Sequence, residues 1–446
     1  MGVQVSIPLA ARAAPFMPAM TLSVDSEIGR LRSVLVHEPG REIDRMVPSM
    51  MLDLLFDDIL FGARAREEHR RFRQVLRFVA DEVLDVQDLL DEVLRDPEAR
   101  SEVLADLAAL LAWPPSVLHA LTELPPGKLA AGLVEGLERP EPAISGSLDS
   151  LYLLPPLPNW FFQRDPATVV GDRVVRGSMA TRARWREPLL SGAVFARHRR
   201  FAGAGPRFWF QEFAAGEGRD LAWARMRPTL EGGDVFVLSP EVLVIGYSER
   251  TEKTTIERLA EALRREGSRV RKILVVAIPP QRATMHLDTV FTRISAGECL
   301  CYGPMILSGG AEEADVYEAD LTTREIAWTT KDDLLAALAA LGIDLAPILC
   351  GGADPIDQQR EQWTDGANAF ALAPGVILCY DRNERTAESL ARHGYTVVAD
   401  DDLLLGRETL DLRKPGKHAI LLSAPELSRA RGGPRCMTMP LVRDPV

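Results

Sequence analysis

Short apolar runs, each followed by a turn and a second apolar run, recur along most of this chain. Residues 231–251 read EGGDVFVLSPEVLVIGYSERT and residues 365–386 read DGANAFALAPGVILCYDRNERT. Each starts with an acid and a glycine. Each continues with a strand pattern, a proline-containing turn, a second strand pattern and a Glu-Arg-Thr segment. A helical stretch follows in both. After Arg250, the residues Ile256, Leu259 and Leu263 share one helical face. After Thr386, Leu390 and a strand ending at Val398 are expected to do the same work. Two weaker copies begin at Asp165 (DPATVVGDRVVRGSMATRAR) and Asp288 (DTVFTRISAGECLCYGPM). A fifth unit is suggested by residues 31–42, LRSVLVHEPGRE, with a partner strand expected from Met437 to Val442.

The expected architecture is therefore an α/β array of about five strand-rich modules, each with one helix. Radial closure of such an array hides strand edges. A doubly wound α/β sheet fits the alternation but does not explain an acid at the same place in four modules. Between Ala63 and Ser147 the texture changes. Phe72, Val75, Leu76, Val79 and Val83 keep helical spacing, as do Leu89, Leu90, Val93 and Leu94, with breaks at Pro97, Pro114-Pro115 and Pro125-Pro126. The spacing predicts a helical insertion over 63–147, set into a catalytic domain of 21–62 and 148–446. Residues 1–20 read as a disordered leader, with Met20 as an alternative start, because Pro8, Pro15 and Pro18 break the apolar run that a signal peptide needs.

Composition narrows the chemistry. The 446 residues are 46% hydrophobic and 26% charged, as in ordinary soluble proteins, and the net charge is -12. That charge argues against nucleic acid or an anionic membrane as partner, and it leaves a cationic ligand open. The cysteines number five, with no CxxC pair, and the seven histidines form no HExxH. A disulfide framework, a zinc ribbon and a zincin site are thereby excluded. No metal and no cofactor are expected, and the protein is expected to be cytoplasmic.

Pseudo-symmetry makes Asp165, Glu231, Asp288 and Asp365 candidates to converge on one cavity. Carboxylates sharing a cavity repel unless a cation joins them, and a guanidinium suits bidentate contacts with them. The competing reading is that each acid only caps a turn. His286 lies two residues before Asp288. On a strand the two would share a face and pair an acid/base with a carboxylate. Cys436 follows Arg431-Gly-Gly-Pro-Arg435, a loop whose glycines allow movement and whose arginines would favour thiolate. Cys299, Cys301, Cys350 and Cys379 sit in apolar patterns and read as core. Arg184 and Arg250 close their modules at similar places and suit a carboxylate, although surface ion pairing is the commoner fate of arginine.

The segments Leu55-Phe-Asp-Asp, Asn159-Trp-Phe-Phe-Gln-Arg-Asp165, Leu230-Glu-Gly-Gly-Asp234, Met285-His-Leu-Asp288, Glu361-Gln-Trp with Asp365-Gly, Tyr380-Asp-Arg-Asn and Arg431-Gly-Gly-Pro-Arg-Cys-Met-Thr-Met-Pro resemble, in order, the signature blocks of the arginine deiminase family. The resemblance covers the chain from about Leu31 to Val446. It implies a five-bladed, pseudo-symmetric α/β propeller of ββαβ modules with a helical insertion, L-arginine as substrate and a homo-oligomer. It also implies roles: Cys436 as nucleophile, His286 as general acid/base, and Asp165 and Asp288 on the guanidinium. Glu231 would orient the histidine, Arg184 and Arg250 would bind the α-carboxylate, and Asn159, Phe162, Leu55 and Arg431 would line the pocket. Ala430 and Pro434 stand where the family resemblance leads one to expect glycine, and Arg435 where some relatives have histidine. An amidinotransferase, a deiminase of agmatine or of methylated or peptidyl arginine, and a non-catalytic binding propeller are the rival readings.

Overall fold

The computed structural model describes residues 19–140, 151–201, 207–210, 228–410 and 416–446. The leader expected over 1–20 falls almost wholly outside these.

Five sheets of three or more strands carry the mixed α/β fold, and four of them begin as the sequence pattern suggests. In each of these four an antiparallel pair is joined, through a helix, to a parallel neighbour. Ala167–Val170 pairs antiparallel with Arg173–Arg176, the helix Arg186–Arg197 crosses over, and Phe208–Phe210 adds in parallel. Val235–Ser239 and Val242–Tyr247 pair likewise. The helix Lys253–Arg265 then buries Ile256, Leu259 and Leu263, and Lys272–Ala277 returns in parallel. Phe291–Arg293, Glu298–Cys301 and Ala346–Leu349 repeat the arrangement. So do Phe370–Ala373, Val376–Tyr380 and His418–Leu422. A parallel neighbour needs a crossover, and the amphipathic helices supply it while covering one sheet face.

The fifth sheet joins distant segments. Leu31–Val36 pairs antiparallel with Met439–Arg443 and parallel with Glu82–Asp85, after the helix Gly62–Val79. The C-terminal partner strand thus lies where the sequence places it, shifted by two residues at its start. No sheet among the described residues closes on itself.

One local expectation needs correction, and two sheets hold strands beyond the repeat pattern. The stretch from Ala63 is not purely helical, because Glu82–Asp85 is a strand of the fifth sheet. Its two apolar residues, Val83 and Leu84, continue the helical spacing before them and conceal the change. The strand ending near Val398 does not neighbour Val376–Tyr380, since His418–Leu422 lies between them and leaves Thr396–Ala399 at the edge. A hairpin, Asp315–Asp320 with Ala327–Lys331, extends the Val242 sheet beyond the repeat. From Val86 to Glu135 the insertion is helical. Its helix Pro97–Leu111 starts at Asp96, whose carboxylate accepts from the Glu98 and Ala99 N–H groups, with proline at the first helical position.

A buried ion cluster ties the fifth sheet to the chain that follows Val36. His37 lies between Asp85 Oδ1 and Glu42 Oε1, each 3.2 Å away. Burial pulls its pKa down, but the two carboxylates outweigh that and hold it at about 10.

Candidate active site

The acids end up where the modules begin. Asp165, Glu231, Asp288 and Asp365 each precede the first strand of a module, and all four are buried. Short 3-10 turns set two of them. Glu231 caps the turn Gly232–Asp234, and His286 caps the turn Leu287–Thr289 that contains Asp288. His286 and Asp288 are therefore not on a strand, and the two-residue periodicity invoked for them does not apply. Tertiary packing brings them to one centre instead.

One cleft is lined by Leu55, Asn159, Phe162, Asp165, Arg184, Arg250, His286, Arg431 and Cys436, together with Arg282, Met285, Thr289 and Ala430. Glu231 and Asp288 stand behind its wall and bond to groups that line it. His286 Nε2 is 2.9 Å from Glu231 Oε2, and His286 Nδ1 is 3.9 Å from Asp165 Oδ1. Burial opposes the charged imidazole. The carboxylates of Asp165, Glu231 and Asp234 more than reverse that and raise it to about 9. Burial raises the Glu231 carboxyl, but Arg250, His286 and Arg184 more than offset that and hold it well below the usual range.

Cys436 is 6% exposed, with Sγ 3.5 Å from Asp288 Oδ2. Burial and the charges of Asp288, Asp165 and Asp365 push its thiol well above the ordinary value. The expected activation by neighbouring arginines fails for a definite reason. Arg435 is fully buried and its charge is taken up by acids, since it donates to Asp288 Oδ2 at 3.0 Å and Glu27 Oε2 at 3.2 Å. Arg431 stacks on Trp363, with its guanidinium carbon 3.4 Å from the ring centre. Asp365 faces the same region. Burial drives its carboxyl up to about 7, against the pull of Arg431 and with repulsion from Asp288.

The two candidate carboxylate-binding arginines differ. Arg184 donates to Asp165 Oδ2 at 2.8 Å and to both oxygens of Glu187. Its guanidinium already neutralises Asp165. Arg250 is 3.9 Å from Glu231, and its Nε and Nη1 make no hydrogen bond among the described residues. Arg250 can accept a new anionic partner without breaking a bond; Arg184 must exchange one. Asn159 donates to the Leu54 carbonyl at 2.7 Å and so fixes the wall at Leu55. Leu55, Asp365 and Arg431 all have left-handed backbones, with φ of 66°, 61° and 63°. Non-glycine residues rarely adopt that conformation, and strain of this kind gathers at functional sites.

The space left inside is small, about 20 Å³, or room for about one water. Phe162 and Arg431 stand on one wall of it. Gly432 packs directly on Phe162, where an added Cβ would come within 2.2 Å of the ring. That wall includes the loop that carries Cys436.

Asp165, Glu231 and His286 are also the one trio among the described residues whose ligand atoms lie close enough to share a metal ion. Arg184 already supplies positive charge to that trio, at 2.8 Å from Asp165 and 3.7 Å from Glu231. Cys299, Cys301, Cys350 and Cys379 are all buried in or beside strands, as core residues. The sequence reading passed over Asn368, Arg282 and Glu187, which touch the site but look like ordinary turn and surface residues in the pattern.

The arginine deiminase family model matches residues 52–120 and 136–443. The chain belongs to the arginine deiminase family. It is similar to an arginine deiminase of Limosilactobacillus reuteri, with 34% identity over 440 residues, covering 95% of this chain and 98% of the relative. It is also similar to an arginine deiminase of Latilactobacillus sakei, with 35% identity over 438 residues, covering 95% and 98%. Membership extends to the insertion, since the match continues to residue 120 and resumes at 136. It also includes the loop of Cys436. No helix among the described residues is long and apolar enough to cross a membrane.

Proposed function

We propose that the protein hydrolyses L-arginine to L-citrulline and ammonia, with Cys436 as nucleophile. The observation that carries this is one cleft with a thiol, a charged imidazole and, in or behind its wall, two carboxylate oxygens, Asp165 Oδ1 and Asp288 Oδ1, that are buried with no hydrogen-bond partner among the described residues. A guanidinium is the ligand that such a cleft lacks. Asp165 and Asp288 grip it, and its charge reverses the field that keeps Cys436 protonated. The sulfur then attacks the guanidinium carbon. His286, charged at neutral pH, gives its proton to the departing nitrogen, and ammonia leaves. A covalent S-alkylthiouronium remains. His286 takes a proton from water, the oxygen bonds to the same carbon, and the carbon–sulfur pair returns to Cys436 as citrulline departs.

Arg250 and Arg184 bind the substrate α-carboxylate in this reading, which disfavours agmatine and peptidyl arginine. Asn159, Phe162, Leu55 and Arg431 shape the pocket, and the chain acts in the cytoplasm as a homo-oligomer. The five repeated sheets, each an antiparallel pair with a parallel neighbour, support a five-bladed propeller with a helical insertion within 63–147. Acid quenching during turnover, followed by peptide mass mapping, tests the mechanism. The expected result is a Cys436 peptide heavier by arginine less ammonia. Turnover with no such adduct, even in a variant slowed at His286, would refute the covalent route.

A further inference from the structure

We propose that Asn368 is a catalytic residue of this site: its side-chain amide donates to the Cys436 sulfur and holds the thiolate during attack and release. The proposal rests on the reading of Cys436 as nucleophile and adds to it a group that the sequence pattern did not single out.

Asn368 is 1% exposed and stands just ahead of the strand Phe370–Ala373. Both ends of its amide are bonded. Nδ2 is 3.1 Å from Cys436 Sγ and 3.1 Å from the Asp288 carbonyl oxygen. Oδ1 accepts from the Arg435 N–H at 3.1 Å and the Cys436 N–H at 3.4 Å. This pattern fixes the orientation. A flipped amide would set its oxygen against a carbonyl and its NH2 against two N–H groups, losing all three backbone bonds. The sulfur therefore faces a donor. The loop is seated on the same group, because a Cβ at Gly433 would come within 2.5 Å of Asn368 Oδ1.

Two neighbours of the sulfur oppose each other. Asp288 Oδ2, 3.5 Å away, favours the protonated thiol, which can donate to it. The Asn368 N–H favours the anion, since a hydrogen bond to the charged form stabilises it. In the empty site the carboxylates prevail. When a guanidinium neutralises them, the thiol proton leaves to solvent and the amide is the remaining partner of the sulfur. The sulfur lone pair then forms the bond to carbon while the amide keeps its protons. When water displaces the sulfur, the same N–H meets the returning thiolate. The amide is held by a carbonyl and two backbone N–H groups, so it does not need to reorganise at either step.

The test is Asn368→Ala, read by two assays. The first is the rate of Cys436 alkylation by iodoacetamide without substrate, at fixed alkaline pH, with the site verified by peptide mapping. The second is steady-state turnover of arginine. The expected result is alkylation slower by about tenfold or more, and kcat lower by about 10- to 100-fold with KM within about threefold, as for loss of one donor to a developing anion. Wild-type alkylation and a kcat within about twofold would overturn the proposal. A purely structural role would lower the melting temperature and leave the alkylation rate alone, which also overturns it. Should Asn368→Ala not fold, Asn368→Asp keeps the size and the Oδ1 acceptor but faces the sulfur with an anion. It must slow alkylation further, and an unchanged rate refutes the proposal. If Cys436→Ala keeps turnover, the nucleophile reading itself fails. If Cys436→Ala is inactive while the Asn368 variants behave as wild type, only the present inference fails.

Discussion

Replacing Glu231 by Gln keeps the shape of the hydrogen bond to His286 Nε2, 2.9 Å long, and removes its charge. The imidazole is lifted from 6.5 to about 9. That rise corresponds to about 3 kcal/mol in favour of the imidazolium. Burial works against it. Asp165 is the largest favourable contributor, followed by the bond to Glu231, with Asp234 and the Glu231 charge behind. Removing the Glu231 charge takes away one favourable contribution and weakens the hydrogen bond, so the His286 pKa should fall. The sign follows from the proton count. A raised histidine pKa stabilises the fold fully below 6.5, and that stability is lost as pH climbs through about 9. The reaction needs the imidazolium to protonate the leaving nitrogen, so the alkaline limb of kcat/KM should move down with it. Titration of histidine ring signals by NMR reads the shift directly, and the pH profile of kcat/KM reads its consequence. The reasoning fails if His286 in Glu231→Gln titrates within about 0.3 units of wild type, since a full buried charge at hydrogen-bond distance cannot be silent.

Two predictions concern stability. His37→Phe leaves Glu42 buried without a cation and Asp85 with Arg73 alone, and should cost about 3–5 kcal/mol in denaturant unfolding at neutral pH. The wild-type advantage should shrink as pH rises through about 10, where His37 loses its proton, and a gap that stays constant would contradict the ion-cluster account. Asp365→Asn should do the opposite. Burial raises Asp365 from 3.8 to about 7, so the folded state gains relative stability below 3.8 and loses it as pH rises through about 7. The Asn variant should therefore melt above wild type at pH 8 and lose that margin toward pH 4, and an equal margin at both would refute the assignment.

The modules were legible because each strand pair is an apolar run of buried residues broken by a turn. Val235–Ser239 with Val242–Tyr247 is nearly all core. Where burial is one-sided the signal disappears. The strand Ala327–Lys331 is exposed along most of its length, and Thr396–Ala399 buries one residue of four. A pattern of apolar positions cannot register such strands, and it cannot choose the order of strands within a sheet. The acids, His286 and Cys436 were legible through their repeat positions and the ordered motifs. The state of the thiol was not, because Arg435 lies beside Cys436 in sequence but points to Glu27 and Asp288. Sequence proximity overstated its effect on sulfur. Asn368 was hidden for the same reason in reverse, since Cys436 reaches it only through folding, 68 residues away along the chain.

The central claim is tested most directly by incubating purified protein with L-arginine, in the presence of a chelator, beside the Cys436→Ala variant, and measuring citrulline and ammonia. The account predicts equal amounts of both products from the wild type and none above background from the variant. Products from a folded Cys436→Ala protein, or no products from a folded wild type, would contradict it.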